Sequence, residues 1–181
     1  LADMKSKPLP IATCLKMVTQ ISDALSEVHH DGVTLNNLHT GNILINPEST
    51  QIKLFDFAFS SLISEEQVYF TPVKQIEGEL EYISPEQTGR MNRKIDYRSD
   101  FYSLGIVFYE LFTGHPPFQD KDKLACIQKH ITKQQTPVSE LRLDVPKSIS
   151  QIIDKLLTKK AEGRYQYVLG LIYDLEKAKK H

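Results

Sequence analysis

The residues whose types and spacing could do chemistry lie between Val33 and Phe57. A polar loop holding Asn36, Asn37, His39, Thr40, Gly41 and Asn42 runs into the apolar Ile43, Leu44 and Ile45. An Asn46-Pro47 turn follows, and a second apolar run, Ile52 to Phe55, delivers Asp56. Two short apolar runs around an Asn-Pro-Glu-Ser-Thr segment predict a β-hairpin. Such a hairpin folds the loop and the carboxylate back to one end, so the amide of Asn42 and the carboxylate of Asp56 approach each other. These are two hard oxygen ligands of the kind Mg²⁺ takes. Each residue also has a plainer reading. Asn36 and Asn37 could simply cap loop backbone, His39 reads as an exposed loop imidazole, and Asp56 alone is an ordinary strand-end carboxylate. The pairing of Asn42 with Asp56 is what favours a metal.

The elements that must position this loop read clearly on both sides of it. Ile11, Leu15, Val18, Ile21, Leu25 and Val28 recur at three- and four-residue steps and predict an amphipathic helix over 11–31. Pro10 suits its start and Gly32 its left-handed stop. Before it lies a Lys/Pro-rich lead-in with Lys5, Lys7 and Pro8. After the hairpin the periodicity disappears from Ala58 to Tyr82, a mixed stretch with Pro72 and Gly78. Structureless stretches of that length are uncommon inside a domain and are usually functional. The second half, 100–179, is helical. Asp100 to Phe112 is apolar nearly all round, the pattern of a buried helix, and Thr113-Gly114-His115-Pro116-Pro117 stops it. Helices are further expected over Lys121 to Ile131, around Ile149 to Leu157 and from Tyr165 to Lys179. The fold class is mainly α with a small β-hairpin.

Composition bounds the partners. With 22 Lys and Arg against 23 Asp and Glu the net charge is −1, which gives no reason to propose nucleic acid or an acidic membrane surface. The longest apolar run, Leu104 to Phe112, contains Glu110 and is too short to span a bilayer. Cys14 and Cys126 lie far apart without metal-ligand spacing, so free thiols in a reducing, cytoplasmic compartment are expected.

The loop and hairpin resemble the catalytic loop and metal-binding segment of protein kinases, written H-R-D-x-x-x-x-N and D-F-G. Here Leu35-Asn36-Asn37 precedes Asn42 by the same spacing, and Asp56-Phe57-Ala58 follows. Ser84-Pro85-Glu86 looks like the Ala-Pro-Glu signature closing a kinase activation segment, here 56–86. Asp100-Phe101-Tyr102-Ser103-Leu104-Gly105, Pro116-Pro117-Phe118 and Ala161-Glu162-Gly163-Arg164-Tyr165 fall in the family's order. The wording from Ser84 to Arg93 is similar to kinase domains heading bacterial hybrid sensor proteins.

The resemblance implies a protein-kinase-like C-terminal lobe over 1–181, with ATP and Mg²⁺ as cofactors and Asn42 and Asp56 as metal ligands. Leu44 would lie beneath the adenine, Leu35 and Phe57 would stack toward a small lobe, and without that lobe the three would leave an apolar patch facing solvent. Neither a glycine-rich loop nor the V-A-I-K lysine occurs, so that lobe is expected to be missing. Glu86 and Arg164 match a buried ion pair of the family. Five positions depart from its pattern, one of them Ala58, where a glycine is usual after the metal ligand and where the turn is stiffened. Asn37 stands at the catalytic aspartate, Asn36 at the arginine that would clamp a phosphorylated activation segment, His39 at a lysine near the transferred phosphate, and Glu79 after Gly78 where a threonine is usual. An amide at Asn37 can orient a hydroxyl but cannot take its proton. Two readings follow: a catalytically impaired Ser/Thr kinase acting on a protein substrate, or a pseudokinase serving a regulated signalling partner.

Overall fold

The computed structural model describes residues 1, 9–46, 48–63, 79–91 and 93–179. Lys5, Lys7 and Pro8 of the lead-in, Pro47 of the turn, the interior of the 58–82 stretch with Pro72 and Gly78, and Asn92 lie outside the described residues.

Pro10, with its fixed φ, sits directly before α1 (Ile11–His30). One face of that helix sinks Cys14, Met17, Val18, Ile21 and Leu25 into the core. Gly32 ends it at φ 74°, a conformation a side chain would strain. Two strands of the expected hairpin follow, β2 (Ile43–Ile45) and β3 (Ile52–Leu54), antiparallel with Ile43 opposite Leu54 and Ile45 opposite Ile52. Asn46 shapes the turn between them, its Oδ1 accepting the N–H groups of Glu48 and Ser49. Gln20 on α1 then pins the hairpin, donating to the Thr50 carbonyl and accepting from the Ile52 N–H. The sequence gives no hint of the other ladder, in which β1 (Val33–Thr34) pairs antiparallel with β4 (Ser61–Leu62) inside the stretch expected to be irregular.

The centre of the molecule is α2 (Arg98–Thr113), buried at every residue from Ser99 to Phe112. A helix buried on all sides needs close neighbours, and Gly105 permits one such approach. A Cβ there would meet the Leu156 Cβ at 2.8 Å and the Leu157 Cδ2 at 3.0 Å. Around α2 stand α3 (Lys123–Thr132), α4 (Val138–Leu141), α5 (Lys147–Leu156) and α6 (Val168–Ala178). The short α4 falls in what reads as a Pro-containing loop. Helix α6 begins at Val168 rather than Tyr165, because the preceding residues are extended around Arg164. α1 packs on α6, α5 joins α6 to α2, and a single core runs through them. Both cysteines are free and buried.

Glu86 and Arg164 form the expected buried pair, two parallel bonds of 2.6 and 2.8 Å. Neither charge is left short of partners. Ser99 Oγ donates to Glu86 Oε1 at 2.9 Å, and the guanidinium also reaches the carbonyls of Thr158, Lys159 and Arg98. The pair ties the Ser84-Pro85-Glu86 turn to α2 and to the approach to α6. Removing one partner of such a pair typically costs about 3–5 kcal/mol, because the other charge stays buried. Arg164→Leu should therefore lower the denaturant midpoint by that equivalent; an unchanged midpoint would show that the pair does not hold the segment.

Candidate functional site

The loop from Leu35 to Asn42 is held from beneath by the first turn of α2. Asp100 is almost fully buried, and its side chain does not cap its own helix. Instead Oδ2 accepts the N–H of Leu35 and Oδ1 that of Asn36, both at 2.8 Å. His29, in the last turn of α1, adds a contact to Oδ2 at 2.9 Å. A carboxylate with two backbone donors fixes the chain direction at this point, and Asn36 takes the left-handed conformation at φ 61°. The Leu35 N–H lies in the interior with this carboxylate, and the Leu35 side chain is only 6% exposed. This corrects the expectation that Leu35 belongs to a solvent-facing patch.

Amides then build the rest of the loop. Asn36 Nδ2 donates to the Phe59 carbonyl at 3.1 Å and to Ser61 Oγ at 2.9 Å, which fastens β4 beside the loop. Gln87 bridges from the other side, donating to the Asn36 carbonyl at 2.6 Å and accepting from the Ser84 N–H. Asn37 Oδ1 accepts the Glu79 N–H at 3.3 Å. Asn42 closes the loop on itself. Its Nδ2 donates to the Asn37 carbonyl, and its Oδ1 accepts the His39 N–H at 3.1 Å. His39 Nδ1 accepts from the Gly41 N–H at 3.1 Å, and a Cβ on Gly41 would come within 2.8 Å of the imidazole. Asn36 and Asn37 thus tie the loop to Phe59, Ser61 and Glu79, while the His39 ring bonds within the loop. Behind the loop, Thr40 Oγ1 meets the Tyr82 hydroxyl, which donates to the buried Glu110. Burial first, and the Glu110 carboxylate next, push the Tyr82 hydroxyl far above its usual range.

Asp56 follows β3 at the end of the hairpin where Asn42 precedes β2, and the Phe55 N–H donates to the Asn42 carbonyl at 3.1 Å. Asp56 is exposed and held at φ 64°. Aspartate is among the few residues other than glycine that visit this region, because its short side chain can bond the nearby backbone. One carboxylate oxygen accepts the Ala58 N–H at 3.3 Å. The side-chain Oδ1 of Asn42, which accepts the His39 N–H, keeps a second lone pair. Among the described residues no group of three or more His, Cys, Asp or Glu could hold a metal. A cation at this end would therefore draw most of its shell from water or bound phosphate. Leu44 is 55% and Phe57 44% exposed, and Phe55, Phe59 and Leu62 are exposed with them.

The sequence shows Asn37, His39, Asn42 and Asp56 through loop composition and register, and the structure brings them to one end of the hairpin. It does not show Gln87, Ser61 or His29, whose roles are contacts between distant segments. Only Gln87, next to Glu86 in the turn, lies inside a recognisable motif.

The family model of the protein kinase domain matches residues 1–173. A probable serine/threonine-protein kinase of Clostridium perfringens is 32% identical over 172 residues, 95% of this chain and 24% of that protein. The serine/threonine-protein kinase PknB of Mycolicibacterium smegmatis is 29% identical over 168 residues, 93% of this chain and 26% of its own length. Hybrid signal transduction histidine kinase G of Dictyostelium discoideum is 47% identical over 95 residues, 52% of this chain and 3% of that protein. The chain thus spans about a quarter of the length of the first two relatives.

The contacts at Asp100 carry a direct expectation. In Asp100→Asn one carboxylate oxygen becomes an NH₂ group facing a backbone N–H, and a buried donor left without an acceptor costs about 1–3 kcal/mol. Amide hydrogen exchange at Leu35 and Asn36 should accelerate while α5 and α6 stay protected; unchanged exchange at those two amides would remove Asp100 from this role.

Proposed function

The chain belongs to the protein kinase family, and we propose that it is the large lobe of a Ser/Thr kinase-like domain whose phosphoryl transfer is impaired. The family reaction moves the terminal phosphoryl group of ATP to a protein Ser or Thr hydroxyl. The observation that carries the reading is Asn37, an amide at the position of the family's base whose oxygen already accepts the Glu79 N–H. It can orient a hydroxyl but takes no proton from it. General-base help is worth about 10²–10⁴-fold, so its loss slows transfer heavily without removing the positioning. His39 offers no evident replacement, since its Nδ1 is committed to the Gly41 N–H.

The donors fit Mg²⁺. Asp56 supplies an exposed carboxylate just past β3, and Asn42 an amide oxygen with a lone pair to spare. Those two residues would hold the ion, which would neutralise phosphate charge. Leu44 would offer its apolar side chain to the adenine. Its exposure, shared with Phe57, supports a covering small lobe or partner on this face.

A second reading, a pseudokinase that regulates a signalling partner, is favoured by Asn36. No cation stands there to clamp a phosphorylated segment, and a neutral amide holds Phe59 and Ser61 directly. The likeness to a hybrid histidine kinase supports a place inside a signalling protein. Among the described residues no helix is long and apolar enough to cross a membrane, and the two free, buried thiols support a cytoplasmic setting.

Two measurements test this. Incubated with radiolabelled ATP, Mg²⁺ and generic protein substrates, the purified chain should transfer no phosphate above background and should bind ATP at millimolar affinity or worse. Measurable turnover that disappears in Asp56→Ala would overturn the impairment. Separately, the folded chain should bind a hydrophobic dye or self-associate, and Leu44→Asp should weaken either without changing the unfolding midpoint. A monomeric, dye-silent chain would show that this face is already covered.

A further inference from the structure

Beyond the loop and hairpin, one side chain stands out for chemistry it is not given elsewhere in the fold. Lys159, just after α5, is half-buried and none of the described carboxylates pairs with it. Its Nζ donates to the Tyr102 hydroxyl at 3.2 Å and lies 4.1 Å from the centroid of the Phe118 ring. An ammonium in this position has lost much of its water and gained only a neutral hydroxyl and ring faces in return.

The charged and titratable groups around it, taken element by element, do not compensate. Tyr102 of α2 is neutral, and burial pushes its hydroxyl upward. His130 of α3 bonds the same hydroxyl through Nδ1 and is held neutral by burial, its pKa down to about 3. Asp154 of α5 is engaged by Gln135 at 2.7 Å. Arg164 is a second cation, with Glu86 already committed to it in two bonds. Glu162, in the same turn as Lys160, is held by Arg93. Burial, and then the Arg164 charge, bring the Lys159 amine down to about 7.

The same residue borders a cavity of about 650 Å³, with Gln134, Gln135, Asp154 and Thr158 on its wall. Gln135 stands on this wall with its Nε2 bonded to Asp154. Lys159 therefore borders an opening that Asn42 and Asp56 do not line. We infer that Lys159 is a reactive amine, open through this cavity to covalent acylation by small activated acyl donors such as acyl phosphates and acyl thioesters. The neutral Nζ attacks the carbonyl carbon and a C–N bond forms. The C–O bond to phosphate, or the C–S bond of a thioester, breaks with its electron pair leaving on phosphate or thiolate, and the amine proton goes to water. The product amide removes a cation from beside Arg164 and places the acyl group in the cavity.

The test treats the folded chain with limiting acetyl phosphate, and in a second arm with acetyl-CoA, between pH 6 and 9, and follows each lysine by peptide mass spectrometry. An ordinary lysine titrates near 10.4, so its acylation climbs about tenfold per pH unit across this range. Lys159 should outrun the exposed Lys160 by at least about tenfold at pH 7 and level off above pH 8, because its neutral form is already abundant. In denaturant the two should react alike. Acylation in one arm only would identify the donor class and uphold the reactive amine. Parallel rates for Lys159 and Lys160 in the folded chain, or Lys159 left unmodified in both arms while Lys160 reacts, would overturn it.

Discussion

The carboxylate of Asp100 reaches out of the first turn of a fully buried helix and takes the N–H groups of Leu35 and Asn36 together, with His29 of α1 on the same oxygen. That contact fixes the start of the candidate loop. It turns Asn36 into its left-handed conformation, sends the Leu35 side chain into the core, and starts the loop in the direction that brings Asn42 to the hairpin. α2 can serve as such an anchor because its own position is overdetermined. Gly105 lets α5 approach it closely, and the Glu86–Arg164 pair locks the turn above it. A loop fixed by one buried carboxylate need not be fixed by the ligand it receives, which suits chemistry that depends on positioning.

Above that anchor, neutral amides do the holding. Asn36, Asn37, Asn42 and Gln87 together join the loop to Phe59, Ser61, Glu79 and Ser84. Amide bonds of this kind are insensitive to salt and pH in a way that ion pairs are not. Asn37 takes part in this holding through its Oδ1, which accepts the Glu79 N–H.

Much of the scaffold was legible in the sequence because it rests on local signals. The three- and four-residue spacing in α1, the all-round apolarity of α2 and the Asn46 turn of the hairpin need no distant contact to be recognised. The Glu86–Arg164 pair was legible only through family register. What escaped is set by tertiary contacts. The β1–β4 ladder is two residues long on each side, too short for alternation to show. Helix α4 buries only Val138. The start of α6 is delayed because Arg164 and Tyr167 are extended, Arg164 being engaged with Glu86. Leu35 was misplaced for a related reason: an apolar residue beside a polar loop can face either way, and the bond from its own N–H to Asp100 decides the direction.

The central claim is that Asn37 leaves the site able to position substrate yet unable to take its proton. The most direct measurement compares phosphoryl transfer by the full-length protein with and without Asn37→Asp, under ATP and Mg²⁺. A restored carboxylate should raise the rate by about 10²–10⁴-fold, the usual worth of general-base help. A wild-type rate equal to or above that of the variant would contradict the account.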